Sequence, residues 1–174
     1  MTLQNAYMPP MSLPRLAPLA ILLASVAIVG GAQLFQHVGG LVPCELCLYE
    51  RWPYYAAIVL ALVAVAVDGR GRLATLAVAL CGLLFLVDAA LAFYHVGVEQ
   101  HWFAGPTACT GPISKAKTVA ELKAQIMGQL PVRCDEPQWT LFGVSLAGYN
   151  LLAAAILAVF SLYAARRTGS GRPS

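Results

Sequence analysis

The segment of this chain best suited to chemistry is Cys44-Glu45-Leu46-Cys47. Two cysteines at this spacing can close a small ring. Such a disulfide reads as redox-active rather than structural, because the constraint a crosslink places on the unfolded chain grows with the loop it closes. A second pair, Cys109 and Cys134, is widely separated in sequence. Alone it would read as a static loop disulfide. Beside a Cys-x-x-Cys presented on the same face, a relay of two exchanging disulfides is the better reading, since exchange needs only a thiolate that can reach a disulfide sulfur. Four cysteines could also bind zinc, but Cys109 and Cys134 lack the close spacing of a zinc knuckle, so no metal is expected. The fifth cysteine, Cys81, lies in an apolar run and reads as a small packing residue.

Arg51 stands four residues after Cys47 and seven after Cys44, so in a helix all three share one face. A cation there would lower a thiol pKa and stabilise negative charge on a nearby acceptor; the competing reading is an ordinary interfacial arginine. Of the three histidines, His37 ends an apolar run, His95 lies near the end of another with Glu99 one turn later, and His101 starts a loop. Interfacial histidines commonly anchor helices, but a neutral imidazole also suits a ligand that needs hydrogen-bond and proton partners. Asp88 is an acid inside an apolar run, costly and often functional there, with Asn, Ser or a backbone group as its possible partner.

The elements that hold these residues are set by hydropathy. Hydrophobic residues make up 59% of the 174 and charged residues 11%, against roughly 45–50% and about 25% in soluble domains. That leaves too little polar surface for a soluble globule. The net charge of +3 comes without a basic stripe interleaved with aromatics, which argues against nucleic acid. Four apolar stretches approach the roughly 20 residues of a membrane span. The first could be a signal peptide after Arg15, but its length and the three runs that follow favour an uncleaved helix. Spans of this kind are helical, and the alternating strands of a barrel are missing. The expected architecture is an all-α membrane protein, a four-transmembrane-helix bundle with a short outer amphipathic helix. It forms a single domain over 1–174, with helices at about 16–37, 46–67, 73–97 and 140–165, outer loops 38–50 and 98–139, and a polar tail 166–174.

Arg15, the Arg70/Arg72 pair and Arg166, Arg167 and Arg172 fall on one side of such a bundle, which should be cytoplasmic. Both cysteine-bearing loops then face outwards, where disulfides persist. The long outer loop opens and closes with Gly and Pro residues. Between them, Thr118-Val-Ala-Glu121 is a capping-box pattern, and Val119, Leu122, Ile126 and Leu130 follow at helical spacing. This predicts a short helix lying on the membrane or packed on the loop itself.

The run Phe35-Gln-His-Val-Gly-Gly-Leu-Val-Pro-Cys44-Glu-Leu-Cys47-Leu-Tyr-Glu-Arg51-Trp-Pro-Tyr resembles the first outer loop of the disulfide bond formation protein B (DsbB) family. Tyr94-His95-Val-Gly-Val-Glu99-Gln-His-Trp, Gly105-Pro-Thr-Ala-Cys109 and Phe142-Gly-Val-Ser145-Leu-Ala-Gly-Tyr-Asn150 fit it too, so the resemblance covers nearly the whole chain. It implies a bacterial inner-membrane protein with both termini cytoplasmic and the cysteine loops periplasmic. It implies ubiquinone or menaquinone beside Cys47, with Arg51 contributing to the quinone site. His95 matches the quinone-proximal histidine, with the nearby His101 as the alternative, and Glu99 falls where relatives often have Gln. The implied partner is a soluble thioredoxin-fold dithiol oxidase (DsbA-like) that attacks Cys109. Electrons would pass from Cys109/Cys134 to Cys44/Cys47, through a transient Cys44–Cys134 bridge, and on to the quinone. A paralogue dedicated to one substrate, a vitamin K epoxide reductase-like enzyme and a passive membrane scaffold with static disulfides are the alternatives. The second would carry its Cys-x-x-Cys near the end of a late helix.

Overall fold

A computed structural model describes residues 13–106, 118–120, 123 and 132–170. Four helices in it are long and apolar enough to cross a membrane. α1 runs Leu13–His37, α2 Glu45–Tyr49, α3 Arg51–Ala66 and α4 Gly71–Glu99. A two-stranded hairpin, β1 (Thr140–Leu141) and β2 (Val144–Ser145), leads into α5, Leu146–Ser170. α2 and α3 meet at Glu50, whose backbone stays in the right-handed helical region (φ −62°, ψ −18°), so Glu45–Ala66 forms one span. The Cys-x-x-Cys thus begins a membrane helix.

The interior is built from small residues. Ala57, Ala61 and Ala64 on α3 are fully buried at helical spacing, as are Ala154 and Ala158 on α5. Leu62, Leu76, Leu83, Leu152, Ile156 and Val159 are exposed on the outside. A soluble bundle would reverse this. In lipid no hydrophobic force drives leucines inwards, and helix association depends on backbones approaching closely. α4 meets α5 where Gly82 faces Leu162: a Cβ built on Gly82 would lie 2.8 Å from Leu162 Cγ. Cys81 is buried beside it, with its sulfur 3.6 Å from the Ala57 carbonyl, in the packing role its sequence context predicts.

The turn from α3 to α4 is tight. Asp68 (φ 59°) and Gly69 (φ 66°) take left-handed conformations that Asp and Gly tolerate best, and the Gly69 amide donates to the Ala64 carbonyl at 2.8 Å. The exposed Arg70 and Arg72 flank this turn.

The fourth spanning helix starts later than its hydropathy predicts, at Leu146 rather than about 140. Thr140 pairs with Ser145 and Leu141 with Val144 across a turn at Phe142 (φ 50°) and Gly143 (φ 79°). Two successive left-handed residues make the two-residue hairpin turn that matches strand twist. Leu141, Phe142 and Val144 keep the segment apolar on average, so composition does not reveal the break. Ser145 then caps α5, its Oγ accepting from the Gly148 amide at 3.1 Å. Of the outer helix predicted after Thr118, Val119, Ala120 and Lys123 are helical, while Leu122, Ile126 and Leu130 lie outside the described residues.

The Gly82 contact makes the α4–α5 interface sensitive to added volume. Gly82→Ile should destabilise the protein by about 1–3 kcal/mol through overpacking, read as a lower thermal midpoint in detergent. Adding Leu162→Ala should restore most of the loss; an unchanged midpoint for Gly82→Ile would show that the helices do not need this approach.

Candidate functional site

Cys44 is the N-cap of α2. Its backbone is extended (φ −72°, ψ 170°), and its sulfur accepts the Cys47 amide at 3.3 Å. The two sulfurs lie 3.0 Å apart and are not bonded to each other. Because Cys44 sits before the helix proper, it leaves the face that Cys47 and Arg51 share, so the common face predicted for all three residues holds only for those two. Cys44 turns towards α4, where His95 Nε2 is 3.5 Å from its sulfur. Cys47 lines a cavity on the other side.

His95 is buried, and its second ring nitrogen, Nδ1, lies 2.7 Å from Glu50 Oε1. Cys44, His95 and Glu50 thus form a thiol–imidazole–carboxylate series of the kind that activates cysteine nucleophiles. Sulfur contact with Cys47 is the largest influence on Cys44. It holds the thiol down to about 4 against the opposing effect of burial, with the hydrogen bond and charge of His95 adding to it. The surroundings of Cys44 therefore favour its thiolate form. The two sulfurs and His95 Nε2 lie within 4.8 Å of one another, near enough to share a metal ion. Metal–sulfur bonds of about 2.3 Å in a tetrahedral site would, however, hold sulfurs about 3.8 Å apart. The 3.0 Å separation suits direct sulfur–sulfur chemistry better.

Glu50 is the residue that spacing rules did not single out. It is buried, and its second oxygen accepts from Asn150 Nδ2 on α5 at 3.0 Å. The same amide nitrogen donates to Asp88 Oδ2 at 3.2 Å, and Tyr54 donates its hydroxyl to Asn150 Oδ1 at 2.7 Å. Of the possible partners for Asp88, the structure selects Asn. The sequence signal for Glu50 was an acid inside the apolar second span, beside an arginine; its partners are too distant in sequence to be guessed.

The cavity has a volume of about 410 Å³ and lies between α1, α3 and α5. Ala27, Ile28, Gly31, Ala32 and Ala153 give it apolar walls, and Gln36, Cys47, Glu50, Arg51, Tyr54 and Asn150 gather in its lining. Arg51 Nη1 donates to Gln36 Oε1 at 2.7 Å, which ties the guanidinium to α1. His95 and Glu99 are not among the lining residues. His95 lies against the Cys44 sulfur, and Glu99 accepts a hydrogen bond from Ser145, tying the end of α4 to the start of α5. His101 is exposed, in a left-handed conformation (φ 61°), with Nδ1 beside the Val98 carbonyl.

Cys134 is buried and disulfide-bonded. It packs in one apolar cluster with Cys44, Leu46 and Val98, with Cys47, Tyr94 and Val132 against its edge. Cys109 lies outside the described residues. Cys44 thus sits inside the cluster that holds Cys134, while Cys47 lies at the edge of that cluster and also lines the cavity.

A profile of the disulfide bond formation protein DsbB family matches residues 14–164. Disulfide bond formation protein B of Actinobacillus pleuropneumoniae is 31% identical over 164 residues, which cover 88% of this chain and 87% of that protein. Disulfide bond formation protein B 2 of Pseudomonas syringae is 35% identical over 148 residues, 81% of this chain and 82% of the relative. Disulfide bond formation protein B 1 of Pseudomonas aeruginosa is 31% identical over 166 residues, 88% and 95% of the two chains. With four spanning helices and a Cys-x-x-Cys thiol pair at one end, the chain belongs to the DsbB family of membrane proteins of disulfide bond formation.

Proposed function

We propose that the protein is a quinone-dependent thiol oxidase that reoxidises a periplasmic thioredoxin-fold dithiol oxidase (DsbA-like), a protein-dithiol:quinone oxidoreductase of the bacterial inner membrane. The observation that carries the reading is the division of the Cys-x-x-Cys, with Cys44 packed in one cluster with Cys134 and Cys47 lining the cavity. The arginines at the N-terminus, the α3–α4 turn and the C-terminus support cytoplasmic termini, with the cysteines on the opposite side.

In this reading the partner's thiolate attacks the loop disulfide at Cys109, and the partner's second thiol displaces the mixed disulfide. The partner leaves oxidised, and Cys109 and Cys134 become thiols. The Cys134 thiolate then attacks a Cys44–Cys47 disulfide at Cys44, releasing Cys47 as thiolate. Cys109 resolves the Cys44–Cys134 bridge, which restores the loop disulfide and leaves Cys44 and Cys47 reduced. His95, beside Cys44, takes up or returns the thiol proton, and Glu50 holds the ring with Nε2 on the sulfur.

The cavity fits a quinone: its walls are apolar, and hydrogen-bonding groups gather beside Cys47. Ubiquinone or menaquinone would accept the two electrons and two protons released as the Cys44–Cys47 disulfide re-forms. Arg51, held by Gln36, places a positive charge on that wall. Cys47 presents the sulfur nearest the acceptor, and the proposed roles of His95 and Glu99 are indirect, through Cys44 and through the α4–α5 tie.

Single serine substitutions test the scheme. Cys44→Ser and Cys47→Ser should each abolish quinone reduction driven by a reduced thioredoxin-fold partner; turnover retained in both would sink it, as would the absence of any exchange, the expected behaviour of a scaffold with static disulfides. Arg51→His should raise the quinone concentration for half-maximal rate by about ten- to a hundredfold, the worth of a charge-assisted contact, while partner exchange changes little. Equal losses in both half-reactions would argue against its assigned place. Because the thiol pKa of Cys44 is depressed, its thiolate is present above and lost below about 4. Alkylation of Cys44 in the reduced protein should stay fast from neutral pH down to about pH 5 and fall below that. In His95→Ala the fall should begin at higher pH. A wild-type rate that drops just below pH 9 would contradict the assignment.

A further inference from the structure

We propose that Asp88 is a positioning residue for the Cys44 thiolate, acting through the Asn150 amide that it shares with Glu50. The proposal rests on the reading of Cys44 as an exchange-active thiol. It concerns a carboxyl group that no step above uses.

Asp88 is fully buried on α4, in a stripe made of Cys81, Phe85, Asp88, Ala92 and His95. The stripe is otherwise apolar up to His95, so packing alone would be served by an apolar side chain. An acid there is costly and is kept for what its oxygens bind. One oxygen, Oδ2, accepts from Asn150 Nδ2, and Oδ1 accepts no hydrogen bond among the described residues, although the Tyr54 hydroxyl lies close enough to act on the carboxyl. Asn150 spends its remaining capacity on Glu50 Oε2 and the Tyr54 hydroxyl. The hydrogen bonds therefore form a closed circuit. They leave α4 at His95, cross to Glu50 at the α2–α3 junction, pass to Asn150 on α5, and return to α4 at Asp88, about two helical turns below His95.

An amide clamped on two carboxyls cannot rotate without breaking both bonds. With Asp88 removed, one Asn150 N–H loses its partner at a half-buried position on the cavity wall, and the amide gains by swinging towards another acceptor. Glu50 then loses the donor on Oε2, and its carboxyl can turn away from His95 Nδ1. The imidazole is freed in turn from the orientation that keeps Nε2 on the Cys44 sulfur. No bond to sulfur forms or breaks in this; Asp88 sets geometry alone.

The titratable groups around this circuit are few. Cys47 on α2 and His95 on α4 face Cys44, and Cys134, a thiol once the protein is reduced, packs in the same cluster. Glu50 is faced by His95 and by Asp88, which acts through Asn150, with Tyr54 and Arg51 on α3 and Glu99 on α4 nearby. α1 contributes Gln36 and α5 contributes Asn150 to the cavity beside it, neither of them charged.

The test uses the full chain in detergent, reduced and stripped of quinone, so its outcome is independent of the electron acceptor. The rate of Cys44 alkylation by iodoacetamide is followed against pH, with Cys44 and Cys47 resolved by peptide mass spectrometry. Asp88→Leu and Asn150→Leu should each move the midpoint of Cys44 upwards by about one unit, a tenfold loss of rate below the midpoint. Asp88→Asn keeps an oxygen acceptor for Asn150 and should titrate close to wild type. If Asp88→Leu fails to assemble, Asn150→Leu and Asp88→Asn carry the comparison. A midpoint shared by wild type and the folded Leu variants overturns the proposal, and so does an Asp88→Asn profile that follows the Leu variants. A wild-type Cys44 that is never alkylated overturns the exchange reading itself, and this proposal with it.

Discussion

A carboxyl group buried near the cysteine-bearing end of a membrane helix has to find its partners within the protein, and Glu50 is that group. One oxygen reaches His95 on α4 and the other Asn150 on α5, so the two bonds bring three helices together at a single level. Much else follows from this. The His95 ring is oriented, which fixes the nitrogen that faces Cys44, and α5 must approach closely enough for Asn150 to reach. Close approach at the other end of the bundle depends on small residues, with the alanines of α3 and α5 buried and Gly82 set against Leu162. The polar circuit and the small-residue interior are two parts of one arrangement: the first needs the helices near each other, and the second lets them come near. The Ser145–Glu99 hydrogen bond adds a further α4–α5 link above the circuit.

The spanning helices could be read from hydropathy alone because lipid requires long uninterrupted apolar segments, and few sequence patterns mimic that. Their ends were less legible. The hairpin at Thr140–Ser145 is as apolar as the helix it precedes, and only the left-handed backbone at Phe142 and Gly143 separates the two. The Cys-x-x-Cys and Arg51 stood out because their chemistry is local in sequence. Their division between two sides did not, since it depends on Cys44 leaving the helical path just where α2 begins. His95 could be picked as a candidate by position, but its target could not, because the sulfur it meets is 51 residues away. Asp88 announced itself as an acid in an apolar run, whereas Glu50 was overshadowed by its neighbour Arg51. Asn150 lies 100 residues from Glu50 and 62 from Asp88, distances at which sequence rules have no purchase.

The opposite facing of the two sulfurs has a consequence for wiring. In the proposed reading the chain joins a water-soluble reductant to an oxidant dissolved in lipid, two reagents that react wastefully if they meet. A thiol pair presented on a single face would be a junction at which both could touch the same atom. Here the sulfurs are in contact with each other, yet Cys44 is buried in the cluster that holds Cys134, and of the two only Cys47 lines the cavity. In that reading current would cross between them, while the Cys44 sulfur stays out of the cavity lining. The Cys-x-x-Cys then serves as conductor and as insulation, and the extended backbone of Cys44 ahead of α2 keeps the circuit from shorting.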